Sequence, residues 1–266
     1  MINIIRNLFL AVTVVSTILT PQQQSKKLVD DIVKSKYEGT VFVIGNAKQT
    51  NEYAQEVMNE TFNRKFFKRP EVISWKYKYK MLPGNKIQYT LIYYQDAKTR
   101  KAEFDKYDKM EQGIKKIADS LNPKDKKLTD LEKLKNIMDY IHENVEGVEL
   151  SDYRRYQNGL NKGKNNGWRT AYANKVGACG DITDFFNKLA SLMGFDTAEI
   201  TGVNHVWSAV KIDKEWKYFD ASFYTADVIK DKEHFFNVTE EILKRYGGPC
   251  FQIEKFDAEK AFKDQQ

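Results

Sequence analysis

The stretch GACGDITDFFNKLASLMGF, residues 177–195, places one of only two cysteines of the chain at the start of a predicted helix. At a helix start, unpaired backbone N–H groups and the positive end of the helix dipole favour the thiolate form of a cysteine. Gly194 is a typical helix stop. The apolar residues between them recur at helical spacing: Ile182, Phe185, Phe186, Leu189, Leu192 and Met193. Cys179 is therefore a candidate nucleophile.

The second cysteine leaves an alternative open. Cys250 lies in a turn-like Gly-Gly-Pro context near the end of the chain. A disulfide between Cys179 and Cys250 would close a long loop, and such a bond stabilises exported proteins. Nothing in the spacing of the two cysteines excludes it.

Three predicted strands follow the helix: residues 196–202, 205–212 and 214–222. If Asp213 and Lys214 form the turn of a hairpin, paired residues have numbers that sum to a constant, so Trp207 faces Asp220 and His205 faces Ser222. Residues of like parity share one face of a sheet. The register therefore predicts that His205 and Asp220 are diagonal neighbours roughly 7 Å apart, within reach of each other.

A helix also precedes the cysteine. Thr129 and Glu132 form a predicted capping box, and apolar residues follow on one face of TDLEKLKNIMDYIHENV, residues 129–145. His142 lies one position off that face and is read as a structural histidine. A thiol at a helix start, an imidazole and a carboxylate are together the groups that cysteine acyl-transfer enzymes use.

The two stretches GACGDITDFFNKLASLMGF and HVWSAVKIDKEWKYFDASF resemble the transglutaminase-like superfamily. The helix at residues 129–145 is similar to the leading helix of that family, and RPEVISW, residues 69–75, resembles the segment before its core. The resemblance covers about residues 126–225. It implies an α+β, papain-like core in which the cysteine helix packs on an antiparallel sheet.

Carried over by position, the resemblance assigns the nucleophile to Cys179, the general base and then acid to His205, and the orienting carboxylate to Asp220. It implies a thioester formed from a carboxamide or peptide carbonyl and resolved by an amine, which gives crosslinking, or by water, which gives hydrolysis. The backbone N–H of Cys179 is one expected oxyanion donor. Candidates for a second donor are Trp168, Tyr172 and Tyr156.

A long basic, Gly/Asn-rich stretch, residues 151–177, precedes the cysteine and reads as an irregular loop. Loops of this length within a compact domain are often functional. We expect it to line the approach to Cys179 and to steer anionic or polar peptide surfaces. The residues predicted to line this substrate approach are Arg154, Arg155, Arg169 and Trp207.

The amino terminus has the layout of a signal peptide, residues 1–24: one basic residue, Arg6, then an uncharged run from Leu8 to Thr20. The run is shorter than the roughly 20 apolar residues of a membrane-spanning helix. We therefore expect a secreted, extracytoplasmic protein with no stable membrane span after processing. A buried first helix or an uncleaved anchor is the alternative.

Between the signal segment and the core, residues 25–122 are predicted as a small α+β region with an aromatic hairpin around Pro83-Gly84. The polar stretch NPKDKK, residues 122–127, is the predicted boundary, and residues 126–266 form the predicted catalytic core.

Charge and motif content narrow the function classes. A formal charge of +6 on a chain with 30% charged residues, without basic residues interleaved with aromatics, does not indicate a nucleic-acid binder. No spacing of metal ligands appears, so no metal and no cofactor are expected. The expected partner is a protein or peptide substrate, with cell-wall peptide as one candidate. A catalytically silent binding or scaffolding module and a disulfide-stapled structural protein are the competing hypotheses.

Overall fold

The computed structural model describes residues 17–62, 75–148, 167–225, 232–247 and 257–265. The chain divides into two compact units, residues 1–101 and 102–266. The division falls inside one helix, residues 97–121, whereas the sequence favoured a boundary at residues 122–127.

The first unit combines helices with a three-stranded sheet. Its elements are α1 (Pro21–Lys34), β1 (Val41–Ile44), α2 (Asn51–Phe62), β2 (Trp75–Leu82), β3 (Lys86–Tyr93) and the start of α3 (Ala97–Leu121). Thr20 and Gln23 form a capping box at the start of α1. Gln24, at the end of the predicted signal segment, is buried and donates to the carbonyl oxygen of Gly45. The packed part of this unit therefore begins before residue 24, while residues 1–16 lie outside the described residues.

The predicted aromatic hairpin is confirmed. β2 and β3 pair antiparallel, with Tyr79 opposite Tyr89, and β1 pairs with the other edge of β3. Gly84 and Asn85 take the positive φ angles, 75° and 55°, that the tight turn requires. Tyr89 is fully buried, and its hydroxyl donates to the carbonyl oxygen of Ala54 in α2. The helices thus cover one face of this sheet.

α3 begins at Ala97, directly after Asp96. The carboxylate of Asp96 accepts the backbone N–H and the hydroxyl of Thr99, at 2.8 and 3.0 Å. An aspartate that caps a helix in this way satisfies one of the free N–H groups of the first turn. The cap, not the apolar periodicity, sets where this helix begins.

The second unit contains the predicted catalytic core. Its elements after α3 are α4 (Asp130–Asn144), β4 (Glu146–Gly147), α5 (Trp168–Asn174), β5 (Val176–Gly177), α6 (Cys179–Leu192), β6 (Thr197–Thr201), β7 (Val206–Ile212), β8 (Glu215–Phe219), α7 (Ala221–Thr225), a 3₁₀ turn (Lys232–Phe235), α8 (Glu240–Gly247) and α9 (Ala258–Gln265). The capping box of Thr129 and Glu132 at the start of α4 is confirmed.

α6 lies at the centre of this unit and contacts α4, α5, β6 and β7. The predicted apolar stripe is confirmed where it faces these neighbours, because Phe185, Phe186 and Leu189 are fully buried. Its last predicted members differ: Leu192, in the final turn, is 39% exposed. The helix ends at Leu192, and two residues later Gly194 takes a φ of 94°, which permits the hydrogen bond from the N–H of Phe195 to the carbonyl oxygen of Ala190.

β6, β7 and β8 form a three-stranded antiparallel sheet in chain order. The predicted turn is confirmed, since Asp213 and Lys214 both take positive φ angles, as a two-residue hairpin of type I′ requires. The predicted register is also confirmed over the strands, with Ser208 opposite Phe219. One face of the sheet packs on α6, and the other packs on residues of the 3₁₀ turn, α8 and α9.

One part of the stretch predicted as an irregular loop is helical, which corrects the sequence-based expectation. α5 begins at Trp168, although Gly167 before it offers no side-chain cap. The cap comes from α6 instead: Asp184 accepts the N–H of Trp168 at 2.8 Å. A Cβ on Gly167 would lie 2.2 Å from an Asp184 carboxylate oxygen, so glycine is required there.

Candidate active site

Cys179 is the first residue of α6 and is partly exposed. Its thiol forms no disulfide with any described residue. Cys250 lies outside the described residues, and a disulfide between the two cysteines stays an alternative. The carboxylate of Asp181 accepts the N–H of Ala178 at 3.2 Å. That hydrogen bond caps the start of α6, and the thiol of Cys179 lies in the same first turn.

The chain enters α6 from a short parallel pair of strands, β4 and β5. Gly177, the last residue of β5, is packed against the first turn of the helix: a Cβ there would lie 3.0 Å from Cβ of Asp181 and 3.2 Å from Cγ1 of Ile182. Any larger residue would push the helix start away from the strand. The glycine two residues before Cys179 therefore contributes to the position of the thiol.

His205 directly precedes β7 and is only 6% exposed. One turn along α6 from the cysteine, the hydroxyl of Thr183 donates to the carbonyl oxygen of Val206 at 3.0 Å. This bond ties the start of β7 to the start of α6. The ring of Phe223 stacks on the imidazole at a centroid distance of 4.5 Å, with 17° between the planes. The position of His205 is therefore fixed by the hydrogen bond of its neighbour Val206 to α6 and by the stacked ring of Phe223.

Asp220 directly follows β8 and is fully buried. Its Oδ2 lies 2.5 Å from Nε2 of His205, which confirms the predicted proximity. Its Oδ1 accepts the N–H and hydroxyl of Ser222 and the N–H of Phe223, at 2.8–3.0 Å. The predicted pairing of His205 with Ser222 does not form as a strand pair, because Asp220 ends the strand by capping α7.

The imidazole of His205 interacts with both other residues of the predicted triad. Burial by itself lowers the pKa of His205, but the charge of Asp220 and the hydrogen bonds to Asp220 and Cys179 raise it to about 10. Nε2 faces Asp220, so Nδ1 is the ring nitrogen left for the thiol. The histidine is therefore stabilised as an imidazolium between a carboxylate and the sulfur.

The second oxyanion donor stays a prediction. Trp168 is 7% exposed and its ring lies edge-on to Tyr172, at a centroid distance of 6.2 Å. The Tyr172 hydroxyl occupies the space that a Cβ on Gly113 of α3 would fill, at 1.9 Å. Tyr156 lies outside the described residues. Trp168 and Tyr172 therefore both contact the packed interior of the second unit.

Two of the residues expected on the substrate approach lie elsewhere, which corrects that expectation. Arg169 is 5% exposed, and its guanidinium lies 5.0 Å from the ring centroid of Tyr107. Trp207 is fully buried beneath His205, with ring centroids 6.1 Å apart. Side chains enclosed in this way cannot line an open approach. Arg154 and Arg155 lie outside the described residues.

Two residues in and near the site were not predicted from the sequence: Phe223 and Asp184. Phe223 contacts His205 through its ring and Asp220 through its N–H. Burial raises the pKa of the Asp184 carboxyl, and this effect outweighs the hydrogen bond from the N–H of Trp168 and the charge of Arg169, which both lower it. The available signal for Phe223 was its position three residues after Asp220, which is where an aspartate cap receives an N–H. Nothing local in the sequence indicated Asp184.

Two other kinds of site are absent from the described ranges. His, Cys, Asp and Glu side chains form no group of three or more there that could hold a metal ion. Nor does any helix in those ranges combine the length and apolar character needed to cross a bilayer.

Two of the solved structures that are similar to the chain are the following. The first is described as a crystal structure of a TGase: 12% identity, 57% of this chain and 45% of that chain covered, TM-score 0.37. The second is a protein from Parabacteroides distasonis described as a candidate protease: 15% identity, 55% and 36% covered, TM-score 0.31. The chain therefore spans less than half the length of either protein. No curated protein matches it.

A family model described as the transglutaminase-like superfamily matches residues 115–221. The match includes the helix that begins at Cys179 and the hairpin that is flanked by His205 and Asp220. The chain therefore contains a transglutaminase-like domain.

Proposed function

We propose that this chain is an exported thiol enzyme that transfers an acyl group from a carboxamide or peptide carbonyl through a thioester on Cys179. The observation that supports the proposal is the hydrogen-bonded arrangement of His205, which contacts Asp220 at 2.5 Å and also bonds the thiol. Imidazole between a thiol and a buried carboxylate is the arrangement that activates a cysteine nucleophile.

In the first half-reaction, the Cys179 proton resides on Nδ1 of His205 and the thiolate attacks the carbonyl carbon. A C–S bond forms and the carbonyl π bond opens to an oxyanion, which the backbone N–H of Cys179 stabilises. The oxyanion then collapses, the C–N bond breaks, and the imidazolium gives its proton to the departing amine. The products are a thioester and a free amine or ammonia.

In the second half-reaction, neutral His205 removes a proton from an amine or from water as it attacks the thioester carbon. The C–S bond breaks and the proton returns to the thiolate–imidazole pair. An amine yields a new amide, and water yields a carboxylic acid. Asp220 stays ionised throughout and keeps Nε2 of His205 protonated, so that Nδ1 faces the sulfur.

The substrate class that we propose is a protein or peptide, with cell-wall peptide as one candidate, and the proposed location is extracytoplasmic. The location rests on the signal-like amino-terminal sequence. Detection of the mature protein in the culture medium or on the cell surface would support it, and detection only in the cytoplasm would contradict it.

The proposal is tested with a glutamine-containing peptide, assayed for ammonia release with and without a fluorescent primary amine. The wild-type chain should release ammonia, and mass spectrometry should detect an acyl adduct on Cys179. Cys179→Ala should abolish both signals, because no other group of the site forms a thioester. Cys250→Ser is the matched control, since it removes the other cysteine of the chain and should leave turnover unchanged.

The labelling rate with iodoacetamide at pH 6–7 provides a test that needs no substrate. It should fall in His205→Ala, because that variant lacks the group that accepts the thiol proton. Turnover of an amide by Cys179→Ala would end the enzymatic proposal. Rapid His205-dependent labelling without turnover of any amide would leave the binding-module alternative in front.

A further inference from the structure

α7, which Asp220 caps, is a helix of only five residues, Ala221–Thr225. One turn of helix is not stable by itself, because few hydrogen bonds offset the cost of ordering its backbone. Its first end is fixed by the cap on Asp220 and by the N–H of Tyr224, which donates to the carbonyl oxygen of Asp220 at 2.9 Å. Its other end needs a tertiary anchor.

That anchor is a hydrogen-bonded network between α7 and α4, and its lysine, Lys135, also lies 3.9 Å from the carboxylate of Glu233. The hydroxyl of Tyr224 donates to Oδ1 of Asp139 at 2.6 Å and accepts a hydrogen bond from Lys135. Lys135 Nζ also donates to Asp139 Oδ1 at 2.7 Å. Each of the three side chains is thus bonded to the other two. Tyr224 is buried, with 3% of the residue exposed, whereas the side chains of Lys135 and Asp139 are 35% and 44% exposed. The network therefore joins a buried residue of α7 to the partly exposed side of α4.

α4 contacts both parts of the candidate active site. Its apolar stripe, with Ile137, Met138 and Ile141 fully buried, lies on the side that packs on other helices, and α4 contacts α6, the helix that begins at Cys179. Through Lys135 and Asp139 it holds α7, which follows Asp220. One rigid helix of 15 residues therefore connects the element that bears the thiol with the element that orients the imidazole.

We propose that Lys135, Asp139 and Tyr224 are positioning residues, which act through α7 to keep the Asp220 carboxylate aligned with Nε2 of His205. None of the three touches the reacting atoms. The catalytic part of this inference rests on the proposed function, whereas the alignment of His205 with Asp220 is a property of the folded protein and can be measured without a substrate.

The test is Tyr224→Phe in the full chain, which removes one hydroxyl and keeps the ring. Loss of alignment should lower kcat about tenfold, which is less than the 10²-fold that a misplacement of about 1 Å costs, and should leave KM unchanged. The pKa of His205, measured by NMR of labelled histidine, should fall from its raised value towards the ordinary one, because the Asp220 contact that raises it is weakened. With three histidines in the chain, the signal can be assigned by comparison with His205→Asn.

Tyr140→Phe is the matched control. Tyr140 is also on α4, and its ring contacts Phe185 of α6 at a centroid distance of 6.4 Å, but it has no part in the network. It should leave both kcat and the pKa of His205 unchanged. Asp139→Ala is the second variant, and the double variant Asp139→Ala with Tyr224→Phe should lose no more than the larger single loss, as expected for residues of one network.

An unchanged pKa of His205 in folded Tyr224→Phe and Asp139→Ala would overturn the positioning role, whatever happens to melting temperature. If the wild-type chain turns over no amide, the proposed function fails, but the NMR titration still decides whether the network holds the histidine and aspartate together.

Discussion

The two units of this chain each contain a three-stranded antiparallel sheet built on a tight hairpin, yet only one sheet carries a candidate active site. In the first, β2 and β3 join through Gly84 and Asn85; in the second, β7 and β8 join through Asp213 and Lys214. Gly84, Asn85, Asp213 and Lys214 all have positive φ angles. The first turn has three residues, Pro83–Asn85, and the second has two, but both join a regular antiparallel pair, so hairpin geometry by itself does not create the site.

The sheets differ in what covers them. The first has one open face, where Val41 and Val43 are 52% and 49% exposed. The second is covered on both faces, and residues 207–210 of its middle strand are buried. Polar groups beside a covered sheet must find partners in the protein, because water cannot serve them. His205 and Asp220, at the ends of β7 and β8, satisfy this requirement with each other.

The two units also differ in their charge. Residues 1–101 carry 17 Lys and Arg against 8 Asp and Glu, whereas residues 102–266 carry 26 against 29. The positive excess of the chain therefore belongs to the unit with the open sheet, and the unit with Cys179 is slightly acidic. The chemistry of the second unit comes from burial and pairing of a few groups, not from its net charge.

The largest expected contrast between the sheets is catalytic. His205→Ala should reduce turnover by about 10²–10⁴-fold, the usual contribution of a general acid–base residue. Thr90→Ala, in the middle strand of the first sheet, should leave turnover unchanged. Both are measured as kcat/KM on the same amide. Equal effects of the two substitutions would remove the functional distinction between the sheets.

A second contrast compares two helix-capping aspartates. Asp220 caps α7 and bonds His205, whereas Asp96 caps α3 and bonds only Thr99 and its neighbours. Asp220→Asn should retain more activity than His205→Ala, because base and nucleophile remain, and should lower the pKa of His205 by removing the negative charge beside it. Asp96→Asn should change neither quantity. An NMR titration and kcat measurements would sharpen the comparison.

Packing supplies a third contrast. Val210 on β7 is fully buried, whereas Val43 on β1 is half exposed. Val210→Ala should lower the free energy of unfolding by roughly 1.5–3 kcal/mol, the value of burying such a side chain, and Val43→Ala by less than about 0.5 kcal/mol. Urea unfolding measures both. A large loss in Val43→Ala would show that the open face is covered in solution.

The last contrast depends on pH. Burial, followed by the nearby charge of Asp184, raises the pKa of Glu199 on β6 to about 7. The folded protein therefore binds a proton that the unfolded chain releases between about pH 4.5 and 7, and stability falls as pH rises through this window. Glu199→Gln should match the wild type near pH 4.5 and be more stable at pH 8.

The pKa of His205 is also raised, so its contribution to stability is complete below about pH 6.5 and is lost as pH rises through about 10. This contribution of His205 is the same in the wild type and in Glu199→Gln, so it cancels in the difference between their free energies of unfolding. Gln55→Asn on α2, an exposed position without a titratable group, is the control and should show no pH-dependent difference in melting temperature. A pH-independent effect of Glu199→Gln would contradict the raised pKa of Glu199.

Local patterns predicted much of the architecture. The capping box at Thr129, the apolar stripe of α6, the Gly194 stop and the register of the β7–β8 hairpin all follow from neighbours within a few residues along the chain. The hairpin register alone was enough to bring His205 close to Asp220. The start of α3 at Ala97 likewise follows from a local contact, the cap that Asp96 provides.

The tertiary structure decided what depends on contacts between distant segments. α5 exists because Asp184, sixteen residues along the chain, caps Trp168, and Arg169 is enclosed where its sequence context resembled an exposed basic loop. The stacking of Phe223 on His205 and the network from α4 to Tyr224 likewise join segments that no sequence window contains. Periodicity and caps determine which elements form and which residues stand at their ends, because those forces are local. Which polar groups lose water and find partners is decided only when the elements pack.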